Sequence, residues 1–267
     1  MSCCSSLLKK YLMALTGVVL VGFVFVHMLG NLQMFLPPVA INTYAHKLHT
    51  LPPALMWGGR AFLLLCVAVH IVVGISLACE NRAARPEQYE VKTSRKASTA
   101  SRFGFLGNLY MPVSGLVILA FIPFHILHYT VRAAFTGTDV TKYENAAKLA
   151  DDTPVFDVYR MVVDGFSHPV VAIFYIVGMV LLFAHLAHGV SSMFQSVGFR
   201  NEKWRPRLDA FAKFYAIVVA AGFIAIPVAV QAKFLTPEGP ACCRKAAPAD
   251  RPPCDLPNGE VTAPAAK

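Results

Sequence analysis

HPVVAIFYIVGMVLLFAHLAHGVSSMFQSVGF, residues 168–199, decides the fold. As an α-helix it is long enough to cross a hydrocarbon core of about 30 Å, which takes about 20 apolar residues. It holds no Asp, Glu, Lys or Arg. His185 and His188 stand one helical turn apart near its far end, and Gly178, Ala184, Gly189 and Ser191 leave room for something bulky beside them. A histidine at membrane depth is rare and points to function. The reading of the chain turns on what counterparts His185 has elsewhere.

The same length and hydropathy test picks out further segments, so that spans fall near 11–36, 54–79, 107–131, 169–196 and 209–234. With 56% hydrophobic and 15% charged residues over 267 positions, the chain is too apolar for a soluble domain of that length. The expectation is an all-α integral membrane protein. It has one five-helix domain over 1–234, its first four helices forming a bundle, and a disordered tail rich in Pro and Ala over 235–267.

The net charge of +9 does not point to nucleic acid, because of where it falls. Lys9 and Lys10 precede the first span; Arg82, Arg85, Lys92, Arg95, Lys96 and Arg102 lie between the second and third; Arg200, Lys203, Arg205 and Arg207 lie between the fourth and fifth. All three segments fall on one side, which the positive-inside rule makes cytoplasmic. The segment between the third and fourth spans is acidic instead, with Asp139, Glu144, Asp151, Asp152, Asp157 and Asp164. The N-terminus is therefore expected inside and the C-terminus outside, in a multi-pass protein of a bacterial cytoplasmic membrane. The first span is too long for a cleaved signal peptide and lacks its cleavage site, so it reads as a retained helix. The cysteines show no metal-site spacing. Cys66 and Cys79 read as packing residues, Cys3 and Cys4 face the cytoplasm, and Cys242, Cys243 and Cys254 lie in the outer tail, where a disulfide is permitted.

Pro37 and Pro38 are expected to end the first helix. The loop VAINTYAHKLHTLPP (39–53) then places Tyr44, His46 and His49 at the outer interface. It reads either as an interfacial turn or as a wall for the polar headgroup of a ligand. Arg60 enters about one turn into the second span, where it either snorkels outward or pairs with a buried anion. The basic loop 80–105 suits a docked partner or anionic lipid. Pro123 should kink the third span near His125 and His128. DVTKYENAAKLA (139–150) could form a short amphipathic surface helix. The fifth span has no histidine and reads as packing. No Asp or Glu is expected inside any span, which leaves no carboxylate route for protons across the membrane.

Depth sorts the histidines. At 1.5 Å of rise per residue, His27 lies roughly 24 Å from the inner end of its span, and His125 lies at a similar depth, both in the outer half. His70 and His185 lie comparably far from their outer ends, in the inner half. Alternating topology thus gives two levels on the order of 15 Å apart, each with one histidine from each of two helices. A lone intramembrane histidine is more often an interhelical hydrogen-bonding group. Four matched in two levels point instead to bis-histidine ligation of two haems across a helix bundle. Glycines 17, 22, 74, 115, 178 and 189 leave space for a flat macrocycle. Arg60 suits an outer propionate, and Ser192 and Gln195 are candidates at the inner haem. His128 and His188, one turn nearer the surface, could bond a propionate or a backbone group, and depth alone does not exclude them as ligands.

YLMALTGVVLVGFVFVHMLGN (11–31), YAHKLHTLP (44–52), VHIVVG (69–74), SGLVILAFIPFHILHYT (114–130) and FYIVGMVLLFAHLAHGVSSMFQSVG (174–198) carry a family resemblance. The chain resembles the five-helix, dihaem cytochrome b membrane anchor of succinate:menaquinone oxidoreductases, the succinate dehydrogenases and fumarate reductases. The likeness covers roughly 11–234, and the fourth span is its most specific part. It implies that the first histidine of each doublet ligates iron: His27 with His125 for the outer haem b, His70 with His185 for the inner. It also implies a subunit that is not itself catalytic for succinate. Such a subunit anchors a flavoprotein and an iron–sulfur protein and passes electrons through both haems to menaquinone, in the respiratory chain and the tricarboxylic acid cycle. The quinone would lie near the outer haem, with Tyr44, His46 and His49 as its wall, and its protons would exchange on that side.

Three rival readings stand beside this one, of which a haem-free structural anchor is the one the four matched histidines speak against. Another dihaem cytochrome, serving a hydrogenase or formate dehydrogenase, would need similar histidines but fits the fourth span less well. A transporter relaying protons through histidine would be expected to show broken helices and internal repeats; the spans show a proline in the third and one in the fifth, and no convincing repeat.

Overall fold

Long apolar helices dominate the computed structural model, which describes residues 5–83, 101–132 and 140–241. Helix α1 (Ser6–Asn31) opens on Ser5, whose hydroxyl accepts the Leu8 amide at 3.3 Å. It runs into a 3₁₀ turn, Leu32–Phe35. Pro38 does not terminate this helix. It starts the next one, α2 (Pro38–His49), at a position where a fixed φ and a missing N–H are tolerated. Most of the expected outer loop is therefore helical.

Helix α3 (Pro53–Ala83) returns, and α4 (Ser101–His125) crosses again. Three residues after Pro123 the backbone widens into a π turn, Ile126–Thr130, closed by Val131 N donating to Ile126 O at 2.8 Å. Such turns recur at functional sites.

The outer segment departs from expectation. Asp139 lies outside the described residues, and residues 140–150 do not form an amphipathic helix. A 3₁₀ turn (Val140–Tyr143) leads to a hairpin in which β1 (Ala147–Lys148) pairs antiparallel with β2 (Pro154–Val155). Asn145 and Asp152 adopt positive φ there, a conformation these short polar residues tolerate and a helix interior does not. The amphipathic helix is α5 (Val158–Ser167), capped by the Asp157 side chain on Arg160 N at 3.0 Å, with Tyr159, Val162, Val163 and Phe166 buried. Buried Asn42 ties it to α2 by accepting from Tyr159 N (3.0 Å) and donating to Asp157 Oδ1 (3.2 Å). The buried Tyr143 hydroxyl donates to Asp164 Oδ2 at 2.9 Å; burial and this bond push its phenol up to about 12.

Helix α6 (Pro169–Ser196) ends in a Schellman motif: Gly198 at φ +82 donates to Gln195 O, and Phe199 N donates to Phe194 O. Helix α7 (Arg205–Gln231) ends the same way with Lys233 at φ +59, followed by a two-residue hairpin of β3 (Leu235–Thr236) and β4 (Gly239–Pro240).

Ser6–Phe35, Pro53–Ala83, Val113–Thr130, Pro169–Ser196 and Arg205–Gln231 are each long and apolar enough to cross a membrane. Leu15, Leu64, Val72, Leu116 and Phe214 are 63–67% exposed on them, an outer surface suited to hydrocarbon rather than water. This is a mostly helical, multi-pass membrane architecture. Inside, α3 packs on α1, α4 packs on α6, and α1 against α6 joins the two pairs. Helix α7 lies along α6, with Ala216 and Val219 buried in one cluster with Leu186, as expected of a packing helix.

The expectation of carboxylate-free spans needs correction at the helix ends. Glu80 lies in the last turns of α3, ion-paired with Lys9, which also donates to Ser76 Oγ at 2.9 Å. Asp209 lies in the first turns of α7, held by both Arg200 (2.9 and 3.0 Å) and the Ser191 hydroxyl. Each carboxylate has a cation against it, which offsets the cost of its desolvation. The helix stretches between these ends hold no Asp or Glu among the described residues. The tail 242–267 with its three cysteines, Cys3 and Cys4, and loop residues 84–100 lie outside the described residues. Cys66 is buried and Cys79 exposed.

Candidate functional site

The helix pairs bring their histidines together across the bundle. His27 of α1 faces His125 of α4 with ring centroids 5.8 Å apart and planes at 81°. His70 of α3 faces His185 of α6 at 6.4 Å and 63°. Each couple joins the α1/α3 pair to the α4/α6 pair. Thr16 of α1 lies against His70, eleven residues before His27, so the two levels stand about 16 Å apart along the helix.

These spacings can be tested against a metal between the rings. With metal–imidazole bonds of about 2.0–2.1 Å, trans ligands have centroids roughly 6–6.5 Å apart. The inner couple meets that distance, and the outer couple is slightly closer. Uncharged imidazole is the ligand form for haem iron, and the donor chemistry therefore fits two bis-histidine centres. Among the described residues no group of three or more His, Cys, Asp and Glu forms a candidate metal site.

At the inner level each ring has a hydroxyl beside it. Thr16 Oγ1 lies 3.1 Å from His70 Nδ1, and Ser114 Oγ lies 3.3 Å from His185 Nδ1. Both residues are buried. The glycines that follow them, Gly17 and Gly115, carry the ring edges. A Cβ at either would meet His70 Cε1 at 3.7 Å or His185 Cε1 at 3.5 Å, ordinary contact distances.

The outer level is built differently. The Tyr175 hydroxyl of α6 lies 3.1 Å from His128 Nδ1 and 3.4 Å from His125 Nδ1. Phe121 stacks on His125 and Phe23 on His27. The Asn31 amide lies 3.4 Å from His27 Nε2 while donating to the His27 carbonyl at 2.8 Å. Tyr129 stacks on His128 at 4.0 Å, and its buried hydroxyl lacks a partner among the described residues. Neither Tyr175 nor Asn31 stands out in the sequence as a site residue.

The remaining candidates scatter. Tyr44 belongs to the α1 contact: a Cβ at Gly30 would lie 2.9 Å from its ring and hydroxyl. His46 and His49, one turn apart on α2, do not share that face. Partial burial, then the positive charges of Arg132 and Arg60, then His46, hold the His49 imidazole below its ordinary range. Arg60 itself lies over the Trp57 ring, 5.0 Å from its centroid, and has no carboxylate within ion-pair distance among the described residues. Tyr44, His46 and His49 thus do not form one wall. Ser192 is exposed, and Gln195 accepts from Arg200 at 3.1 Å near the end of α6. His188 is half-buried one turn beyond His185. Several glycines expected to admit a macrocycle instead admit side chains: Gly178 receives Phe121, and Gly74 receives Met13. Gly22 and Gly189 have no atom within 4 Å of an added Cβ.

The geometry exposes a repeat that composition and periodicity do not. TGVVLVGFVFVH (16–27) of α1 aligns with SGLVILAFIPFH (114–125) of α4: hydroxyl, glycine, and histidine eleven positions after the hydroxyl. HIVVGIS (70–76) of α3 aligns with HLAHGVS (185–191) of α6. Ser76 and Ser191, which end these segments, both make polar contacts at the same end of the bundle, to Lys9 and Asp209. The two helix pairs are two copies of one pattern, which corrects the expectation that the chain holds no convincing repeat. His128 and His188 have no counterpart; Gly30 and Val73 occupy their places in the first copy.

No protein-family model, curated protein or solved structure matches the chain.

Proposed function

We propose that this chain is the dihaem membrane anchor of a succinate:quinone oxidoreductase in a bacterial cytoplasmic membrane. His27 and His125 would ligate the outer b haem, and His70 and His185 the inner one. The observation that carries this reading is the pair of histidine couples, each bridging the two helix pairs, the inner at a spacing that suits two imidazoles on one metal and the outer slightly closer. The repeat supports the choice within each doublet, because only His125 and His185 have counterparts in the first copy.

Each bound haem would supply one-electron transfer across its level of the membrane. The chain's own residues hold the imidazoles: α1 and α4 supply the outer couple, α3 and α6 the inner. Two centres about 16 Å apart along the helix make a path from the basic side toward the outer side. On that basic side the flavoprotein and iron–sulfur partners would dock. Menaquinone would react at the outer level, where Tyr175 links His125 to His128 and offers an exchangeable proton. Protons would exchange on that side, because inside their end turns the five long apolar helices hold no Asp or Glu among the described residues.

The test is reduction in the native complex. A tag on this chain should bring down a flavoprotein and an iron–sulfur protein, and succinate should reduce b haem in that preparation. Reduction by hydrogen or formate with succinate inert would give the chain to another quinone-linked dehydrogenase.

A further inference from the structure

We infer that Thr16 and Ser114 are positioning residues that fix the ring tautomer of the inner histidines, so that His70 and His185 each present an unprotonated Nε2 to the inner centre. The inference rests on the dihaem reading for its purpose and on hydrogen-bond accounting for its content.

A hydroxyl has one proton and can accept with its lone pairs. Thr16 Oγ1 lies 2.8 Å from Leu12 O and 3.2 Å from Met13 O on its own helix. Ser114 Oγ lies 3.1 Å from Met111 O. Serine and threonine inside helices commonly back-bond in this way. In the proposed arrangement each single proton goes to its own helix's backbone carbonyl, which only accepts. Toward an imidazole nitrogen each hydroxyl can then act only as acceptor. The atoms at 3.1 and 3.3 Å are His70 Nδ1 and His185 Nδ1, so both must carry hydrogen and donate. A neutral imidazole protonated at Nδ1 has its free lone pair at Nε2.

The arrangement occurs twice, once in each copy of the repeat. In both copies the hydroxyl precedes a glycine against which the ring edge rests. Both residues are buried, 7% and 1% exposed, which keeps water from competing for them. The outer couple has no such device. Tyr175 has one proton to share between His125 and His128, and the His27 contact is an amide at Nε2. The ring orientation of the inner couple is thus set before any metal arrives, while that of the outer couple is not.

An outer-shell partner that fixes a ligating imidazole and raises its basicity contributes about 10- to 100-fold in metal affinity. Thr16→Val and Ser114→Ala remove the acceptor with little change of shape; Thr16→Ser and Ser114→Thr keep it. The haem-depleted chain is titrated with haem b. Each of the first two variants should weaken one of two sites by about 10- to 100-fold and move one of two potentiometric waves upward, the other site staying as in wild type. The conservative variants should restore both. In the haem-depleted chain, ¹⁵N spectra should show His70 and His185 as Nδ1–H tautomers, His70 losing that form in Thr16→Val and His185 in Ser114→Ala. Nε2–H tautomers in the wild-type chain would overturn the inference, whatever the haem titration shows. So would unchanged affinity and potential in both variants, or a loss that the conservative variants share. A wild-type chain that binds no haem yet shows the Nδ1–H tautomers would sink the dihaem reading and leave the positioning role standing.

Discussion

His27→Ala and His125→Ala are each expected to abolish the same b haem, and His70→Ala and His185→Ala the other. The rings face each other across the bundle at 5.8 and 6.4 Å, so losing one would leave its partner to hold the group alone. The couples connect different helices, α1 with α4 and α3 with α6, so the two losses are separable. A double variant within a couple should lose no more haem than either single, and one across couples should lose both. His128→Ala and His188→Ala should keep two haems, since neither residue has a counterpart in the other copy of the repeat. Haem content per chain, read from the pyridine haemochrome, checks all of these. Loss of the outer haem alone from His128→Ala, with both haems kept in His125→Ala, would move the outer ligand one turn outward and break the symmetry of the account.

Gly178→Leu is expected to damage the outer centre while sparing the inner. A Cβ at Gly178 would lie 2.9 Å from Phe121 Cδ2 and 3.2 Å from Cε2, both atoms of a rigid, buried ring. Phe121 stacks on His125, with centroids 5.8 Å apart and planes at 14°. The added side chain must push Phe121, and with it His125, away from α6. Overpacking of this kind costs about 1–3 kcal/mol, read as a lower thermal midpoint in detergent. The outer haem should leave first, because the inner couple rests instead on Gly17 and Gly115. Gly59→Ala is the control. It has no atom within 4 Å of an added Cβ and should be neutral or gain up to about 1 kcal/mol from helix propensity. Equal loss of both haems from Gly178→Leu would mean that the two levels do not respond independently.

What could be read from the sequence was what depends on one-dimensional patterns. Apolar length located the five long apolar helices, their ends falling up to six residues off, because a hydrocarbon core imposes one length on every crossing. Depth along those helices paired His27 with His125 and His70 with His185, since rise per residue is fixed and alternating topology converts it to height. Side-chain geometry was beyond that reach. Tyr44 sits two residues from His46, yet helix formation after Pro38 turns it toward Gly30 and away from the histidine face. Residues 139–150 carry helix-compatible composition, yet Asn145 and Asp152 at positive φ break them into a hairpin, and the amphipathic helix falls at α5 instead. The glycines read as clearance, but clearance for what depended on the facing helix: Phe121 at Gly178, an imidazole edge at Gly17 and Gly115. The repeat was present in the letters all along. Its identities are few, and it became legible once Thr16 and Ser114 were seen to make the same contact.

The repeat also removes one reason for preferring a cytochrome to a transporter, since parallel repeats occur in transporters as well. The histidine couples then carry the distinction by themselves. Colour in the purified chain tests them most directly. A reduced-minus-oxidised spectrum with a pyridine haemochrome count on the wild-type chain should give two b haems per polypeptide. A well-folded, colourless chain that stays colourless on addition of haem b would contradict the account and turn the four histidines into hydrogen-bonding groups of a transporter.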